Sequence, residues 1–404
     1  MKTMHKTPKP TLLFYCQHSI GMGHLVRSFR LVKVLARQYH IVFINGGRIP
    51  EGIEQPENIQ LENIPPVGMT ADSHVLMSQD SRYSVEQAKQ MRQQSIMRLW
   101  QQFKPEVIVI ELFPFGRKKF ADELLPLLEA AQQDTPQTKI FCSLRDILVR
   151  TRHDQQRFEN KASTRLNRYF DAVLLHCDPA FATLAESFKP DTPLQIPVYH
   201  TGFIAPIMPT SALKTAREAR IIVSAGGGSV GNALFQTALA AQAMIWQQTK
   251  LKMTIVAGPF LPETEWQALK QQAANKKHVT LVRTVAGLLP LLRQCEISVS
   301  QCGYNTTMEL LQSGIKALVV PFHCFGENEQ MNRAKRLQKA GAIQLLDPSV
   351  LSPQTLTQAI IELQQGITTP HALAMQGAEK TLNIITKLSN KSHYKPPLAQ
   401  KVVI

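Results

Sequence analysis

Short apolar runs alternate with longer amphipathic stretches along most of the chain, a rhythm that predicts strands separated by helices. In the first half, Thr11 to Gln17, His40 to Asn45, Glu106 to Glu111, Lys139 to Ser143 and Ala172 to His176 read as strands. In the second, Arg220 to Ser224, Lys252 to Ala257, His278 to Val282, Glu296 to Ser300 and Lys316 to Val320 do the same. Each half is therefore expected to be an α/β unit with a doubly wound, Rossmann-like sheet covered by helices on both faces. A stretch rich in proline and small polar residues, 205–219, is expected to link a first unit over 1–204 to a second over 220–375. A last helix and a basic tail fill 376–404. At 404 residues the chain is long enough for two cores.

Three places repeat the order strand, glycine turn, helix, and each brings polar chemistry to a strand end. After the first strand, HSIGMGHLVRSFRLVKVLARQ turns at Gly21 and Gly23 into a helix with Leu25, Phe29, Val32 and Ala36 on its apolar face. His24 then stands at the helix mouth, at the carboxyl end of a strand, where such sheets bind ligands. An imidazole there can accept a proton near neutral pH, and His18, lying before the turn, is the weaker candidate. Glu111, ending the strand EVIVIEL, can accept the second imidazole N–H and fix its tautomer; its other reading is a carboxylate bonded to local amides or Arg117. In the second half, AGGGSVGN follows a strand, so Gly226, Gly227 and Gly228 can bring backbone amides against a diphosphate while Ser229 adds a hydroxyl. Finally, Gly303 is expected to let the backbone turn sharply into a helix signalled by Asn305 and Thr306. Glu309 lies about one turn inside that helix, within reach of the two hydroxyls of a ribose. The next strand leads to a polar loop, GENEQ, whose Glu329 and Gln330 begin another helix. The plainer reading is that Asn305 and Thr306 only cap a helix and Glu309 is solvated.

On these motifs, Ser300 to Gly341 resembles the donor-binding domain of MurG-type glycosyltransferases, the type of the glycosyltransferase family 28 C-terminal domain. The resemblance implies the GT-B fold, two Rossmann-like domains facing each other across a cleft. It also implies that Glu309 holds the ribose, that Glu329 and Gln330 contact the sugar, and that the loop Gly226 to Ser229 grips the diphosphate. Backbone near Val285 would meet the nucleotide base, and His24 would be the base that deprotonates the acceptor. The implied reaction moves a hexose or N-acetylhexosamine from a nucleoside diphosphate sugar, a UDP-sugar by default, to a hydroxyl of a glycan or lipid-linked acceptor with inversion. Gly21, Gly23, His24 and Arg27 equally resemble the G-x-G-H-x-x-R segment of nucleotide-sugar hydrolases, where the histidine activates water. A non-catalytic subunit that binds nucleotide sugars is the reading from a different class.

Composition narrows the setting. The six cysteines are scattered, with no C-x-x-C pair and no histidine at zinc-ligand spacing, so a reducing, cytoplasmic compartment is expected. The opening is basic but lacks the apolar core of a signal peptide, and no run reaches the length of a membrane span. No aspartate-rich metal motif appears, and neither a metal nor another cofactor is expected. The formal net charge of +15 calls for anionic partners. The loop LFPFGRKKF from Leu112 to Phe120, and the helix MRQQSIMRLWQQF with Ile96, Leu99, Trp100 and Phe103 on one face, are candidates for docking on an anionic membrane. Their alternative reading is core aromatics beneath a solvated basic face. Nucleic acid is not an expected partner, because the charges are dispersed and no recognised module appears.

Overall fold

The computed structural model describes residues 8–18, 22–50, 53–69, 75–148, 153–207, 216–285, 287–322, 328–366 and 371–390. Its strands are β1 (Thr11–Cys16), β2 (His40–Asn45), β3 (Gln60–Asn63), β4 (Val67–Met69), β5 (Leu76–Ser78), β6 (Val107–Glu111), β7 (Lys139–Leu144), β8 (Ala172–Leu175) and β9 (Val198–His200), followed by β10 (Glu218–Ser224), β11 (Lys252–Val256), β12 (Val279–Val282), β13 (Cys295–Ser300), β14 (Lys316–Val319) and β15 (Gln344–Leu345). The helices are α1 (Gly23–Leu35), α2 (Val85–Phe103), α3 (Ala121–Asp134), α4 (Gln155–Tyr169), α5 (Leu184–Ser187), α6 (Asn232–Thr249), α7 (Glu263–Ala274), α8 (Leu289–Gln294), α9 (Tyr304–Ser313), α10 (Glu329–Lys339), α11 (Pro353–Gln365) and α12 (Gly377–Ser389).

Two parallel sheets result. One has the order β3-β2-β1-β6-β7-β8-β9 and the other β12-β11-β10-β13-β14-β15, each doubly wound with its strand order reversing beside its first strand. The reversals lie between β1 and β6 and between β10 and β13, so four connections converge on them: residues after β1, β6, β10 and β13. The apolar strands expected from the sequence form the interior of both sheets, and Leu12, Leu13, Phe14, Ile108, Val109 and Ile110 are fully buried. Strand β10 starts at Glu218, two residues before the expected strand, and residues 208–215 of the expected linker lie outside the described residues. Strands β3, β9 and β15 and the separate antiparallel pair β4–β5 were not foreseen: QLEN, VYH and QL are short, half-exposed edge segments without an apolar run, and VGM and LMS are only three residues long.

The last helix belongs to the first sheet. Ala378, Leu382 and Ile385 of α12 sit in one apolar cluster with Leu25, Phe29, Val32 and the outer face of β1 and β2, after Gly377 N–H donates to the Phe203 carbonyl at 2.9 Å. A second cluster runs without a break from Leu13 and Ile110 through Phe203 to Tyr304, Met308 and Val319, so the two sheets share packed apolar surface. The tail 391–404 lies outside the described residues.

The aromatic residues offered for membrane docking are core. Ile96, Leu99 and Trp100 of α2 are buried, Phe103 packs half-buried against the core, and Phe113, Phe115 and Phe120 are buried as well, which leaves only Lys118 and Lys119 of that loop exposed. Their apolar faces answer the sheet rather than a lipid surface. The cationic side of α2 is also turned partly inward: fully buried Arg92 donates to Glu123 (2.6 and 2.7 Å), to Gln17 (2.6 Å) and to the Gly46 and Pro65 carbonyls (2.8 and 2.9 Å). This pins the connections after β1 and β2 to α2. Among the described residues no helix is long and apolar enough to cross a membrane.

Ile385 is fully buried between α12 and the first sheet. Ile385→Ala is expected to lower unfolding free energy by about 2–5 kcal/mol in denaturant titration, whereas exposed Val350→Ala should stay within about 0.5 kcal/mol.

Candidate active site in the interdomain cleft

The first half of the site grows from the connections after β1 and β6. Helix α1 begins at Gly23 with no side-chain cap among the described residues, and His24 is its second residue. From β6, Glu111 ends its strand fully buried; Leu112 at φ 66° and Arg117 at φ 59° bend the following loop so that Arg117 returns onto it. Glu111 thereby collects three donors: His24 Nδ1 at 2.6 Å and Arg27 Nη2 on one oxygen, and Arg117 Nη2 at 3.4 Å on the other. Both sequence readings of Glu111, partner of an imidazole and partner of Arg117, hold at once.

Burial alone would raise the Glu111 carboxyl, but His24 by charge and hydrogen bond, then Arg27 and Arg117, hold it well below the usual carboxylate range. It is therefore ionised and can only accept. His24 must then carry its proton on Nδ1, which leaves Nε2 as the free lone pair of a neutral ring. Burial, opposed by Glu111 and reinforced by Arg117, lowers His24 from 6.5 to about 4. At neutral pH the ring is therefore uncharged, with a low proton affinity. His18 is buried, with Nε2 3.1 Å from Asn45 Oδ1, and its pKa is lowered chiefly by burial. Gly21 lies outside the described residues.

The second half is built after β10 and β13. Gly228 (φ 89°) packs against the Ala257 carbonyl and Gly258 (φ 91°) against the Gly227 backbone, so a Cβ on either would collide and the loops 225–231 and 257–261 close on each other. Phe260 N–H donates to the Gly227 carbonyl at 2.9 Å. Ser229 is exposed, and α6 opens after Gly231 with no side-chain cap. A Cβ on Gly226 would stand 3.4 Å from Thr306 Oγ1, which shows how near this loop comes to the start of α9.

Gly303 departs from expectation. Its φ is −65°, open to any residue, so no sharp turn requires glycine there; a Cβ would instead enter space with nothing within 4 Å. The residue keeps the mouth of α9 clear. Asn305 and Thr306 lie inside α9, after the N-cap Gly303, and Glu309 is mostly buried and paired with Arg30 rather than solvated, so the plainer reading does not hold. Val285 is half-buried between β12 and α8 and packs on the core. Gln330 Oε1 accepts from the Cys302 and Phe322 amides at 2.9 and 3.2 Å, which ties α10 to the loop after β13.

Several cross-domain contacts bring the halves together. Asn305 Nδ2 donates to the Gly23 carbonyl at 3.0 Å, seating the first turns of α1 and α9 side by side. Arg30 of α1 pairs with Glu309 of α9, and burial raises the Glu309 carboxyl while Arg30 opposes that rise. Arg145 after β7 pairs with Glu329, so this carboxylate is buried and ion-paired. Glu329 is also held by Arg333 at 2.6 Å, and Arg333 forks onto Asp146 at 2.7 and 2.9 Å. Burial would raise Glu329, yet Arg145 and Arg333 lower it. Tyr304 lies between the Arg27 and Arg333 guanidinium groups, with its hydroxyl donating to the His176 carbonyl (3.3 Å) and accepting from Ile204 N–H (3.2 Å).

Arg30, Arg145, Asp146, Tyr304 and Arg333 were not singled out in the sequence. One signal existed: His24, Arg27 and Arg30 follow at three-residue spacing and so share one side of α1. The others depend on docking of the two sheets and have no local signature.

Residues 222–388 match the glycosyltransferase family 28 C-terminal domain. A curated relative from Synechococcus elongatus, named UDP-N-acetylglucosamine--N-acetylmuramyl-(pentapeptide) pyrophosphoryl-undecaprenol N-acetylglucosamine transferase, is 25% identical over 213 residues, 52% of this chain and 56% of that protein. The chain thus spans about half the length of this relative. Among solved structures, a calicheamicin glycosyltransferase superposes with TM-score 0.59 at 15% identity, covering 95% of this chain and 96% of the other. MurG of Acinetobacter baumannii superposes with TM-score 0.57 at 17% identity, covering 94% and 100%. The fold is GT-B.

In an NMR titration the His24 ring is expected to stay neutral, protonated on Nδ1, until the pH falls well below 6.5, with its midpoint near 4. Because Glu111 supplies the influences that hold this pKa up, Glu111→Gln should move the midpoint lower still, and a wild-type midpoint at or above 6.5 would contradict the geometry. The sign for stability follows: a depressed histidine favours the fold above 6.5, and its contribution is lost as pH falls from 6.5 toward about 4.

Proposed function

We propose that the protein is a glycosyltransferase that moves a hexose or N-acetylhexosamine from a UDP-sugar to a hydroxyl of a glycan or lipid-linked acceptor, with inversion. The observation that carries this reading is the Asn305 to Gly23 contact, which sets the neutral, Glu111-bound His24 beside the uncapped start of α9 and the loop 225–231. This closeness supports a reading in which His24 acts as base beside a diphosphate held at the two helix starts. The family 28 match over 222–388 and the printed name of the Synechococcus relative support a nucleotide-sugar donor and a lipid-linked acceptor of the pyrophosphoryl-undecaprenol kind.

In this reading the acceptor oxygen attacks the anomeric carbon and gives its proton to His24 Nε2. The bond from that carbon to the diphosphate oxygen breaks, and the electron pair leaves with the diphosphate. Glu111 holds the Nδ1–H tautomer and stabilises the imidazolium as it forms, without itself taking the proton. Free N–H groups at the starts of α6 and α9 face the charge that grows on the leaving group, and they act more strongly in a cleft from which water is excluded. Glu309 takes the ribose hydroxyls. Glu329 and Gln330 line the sugar end, with Glu329 kept ionised by Arg145 and Arg333. Val285 lies toward the base.

UDP release from UDP-N-acetylglucosamine, UDP-glucose and UDP-galactose, with and without a lipid extract, tests the reading. Release should need the extract, should persist in EDTA because helix N-termini are assigned to the diphosphate, and should fall about 10²- to 10⁴-fold in His24→Ala. Glu309→Gln should mainly raise the donor KM. Equal release in water without extract would replace transfer by hydrolysis, and donor binding with no release under any condition would support the binding-subunit reading.

A further inference from the structure

Glu309 is assigned to the donor ribose above, and the present inference rests on that reading. The carboxylate does not stand alone in its own domain. Its Oε1 is held by Arg30 Nη2, which comes from α1 on the opposite side of the cleft. Both side chains are mostly buried, 15% and 14% exposed, so the pair is shielded from the solvent that makes surface ion pairs weak. The bond and ion pair that Glu309 makes with Arg30 engage Oε1, not Oε2. Two polar atoms at this helix pair, Arg30 Nη1 and Asn305 Oδ1, are buried and lack partners among the described residues. Buried donors and acceptors are rarely left unmade, and a bound polar molecule between α1 and α9 would satisfy them.

We infer that Arg30 is a positioning residue for donor recognition: it holds Glu309 through one carboxylate oxygen so that the other faces the ribose hydroxyls. Ribose recognition is then assembled only when the two domains are docked. The same helix α1 carries the base His24, its companion Arg27 and this arginine at successive turns, so one rigid element sets the acceptor chemistry and the donor sugar together. Burial works against an ionised Glu309, and Arg30 is what opposes it.

The test is calorimetric binding of UDP and of 2′,3′-dideoxyuridine diphosphate to the full chain as wild type, Glu309→Gln, Arg30→Met and Arg30→Lys. Wild type should prefer UDP by roughly tenfold or more, the range for hydroxyls bonded to a charged acceptor. Glu309→Gln should bring the ratio toward one. Arg30→Met should do the same by weakening UDP while leaving the dideoxy compound unchanged, and Arg30→Lys should restore part of the preference. An Arg30→Met protein that keeps the wild-type ratio while Glu309→Gln loses it overturns this inference alone. So does an equal loss for both nucleotides, which would put Arg30 on the diphosphate or on closure. If Glu309→Gln keeps the ratio, or wild type binds no UDP, the donor reading fails and the inference falls with it.

Discussion

A carboxylate buried at the end of β6 sets the terms for the rest of the site. An ionised group without partners in a dry interior costs several kcal/mol, so Glu111 can exist there only with donors around it. The chain supplies three, from two directions: His24 and Arg27 from α1, and Arg117 from the loop that doubles back after Leu112. Each donor fixes something else in turn. Arg27 presents its guanidinium to the Tyr304 ring of the other domain, and His24 is left with one tautomer and one free nitrogen. The low proton affinity of the ring follows from burial that Glu111 only partly offsets.

That first interaction makes the cleft a joint product of two domains. The start of α9 has no side-chain cap and open space at Gly303, α1 carries His24, and Asn305, Arg30 and Tyr304 clasp the two helices together. The ion pairs Arg145 with Glu329 and Arg333 with Asp146 repeat the pattern along the same seam. Buried pairs of this kind contribute little net stability over an apolar contact, but breaking one side leaves a stranded charge at a cost of roughly 3–5 kcal/mol. Their consequence is register: an ion-paired seam holds the two faces in one relative position, which a two-domain site needs.

Much of this was legible in the sequence, and the reason is local. Continuous runs such as TLLFYC and VIVIE, bounded by turns, read as buried strands, so the alternating α/β order follows from periodicity, while the GT-B architecture was what the resemblance to MurG-type glycosyltransferases implied. His24, Glu111 and the glycine loop could be singled out because each sits next to a strand end and a turn, and Glu309 because it lies about one turn inside the helix that follows such a turn. The short edge strands escaped because QLEN and QL carry no apolar signal. The aromatic loop was legible only in part: hydropathy shows that Phe113, Phe115 and Phe120 must be covered, but not by what, and the sheet covers them. Gly303 misled by type, since glycine there leaves space rather than permitting a turn. Arg30, Arg145 and Tyr304 take their meaning only from the opposite domain.

The central claim is that a nucleoside diphosphate lies between the starts of α6 and α9 with the His24 ring beside its sugar end. A crystal structure of the protein with UDP tests it most directly. The account predicts the diphosphate against the amides of 226–231 and 303–306, the ribose hydroxyls on Glu309, and His24 Nε2 facing open space next to the terminal phosphate. A nucleotide bound elsewhere on the molecule, or one whose ribose turns away from Glu309 and whose phosphates leave both helix starts empty, would contradict it.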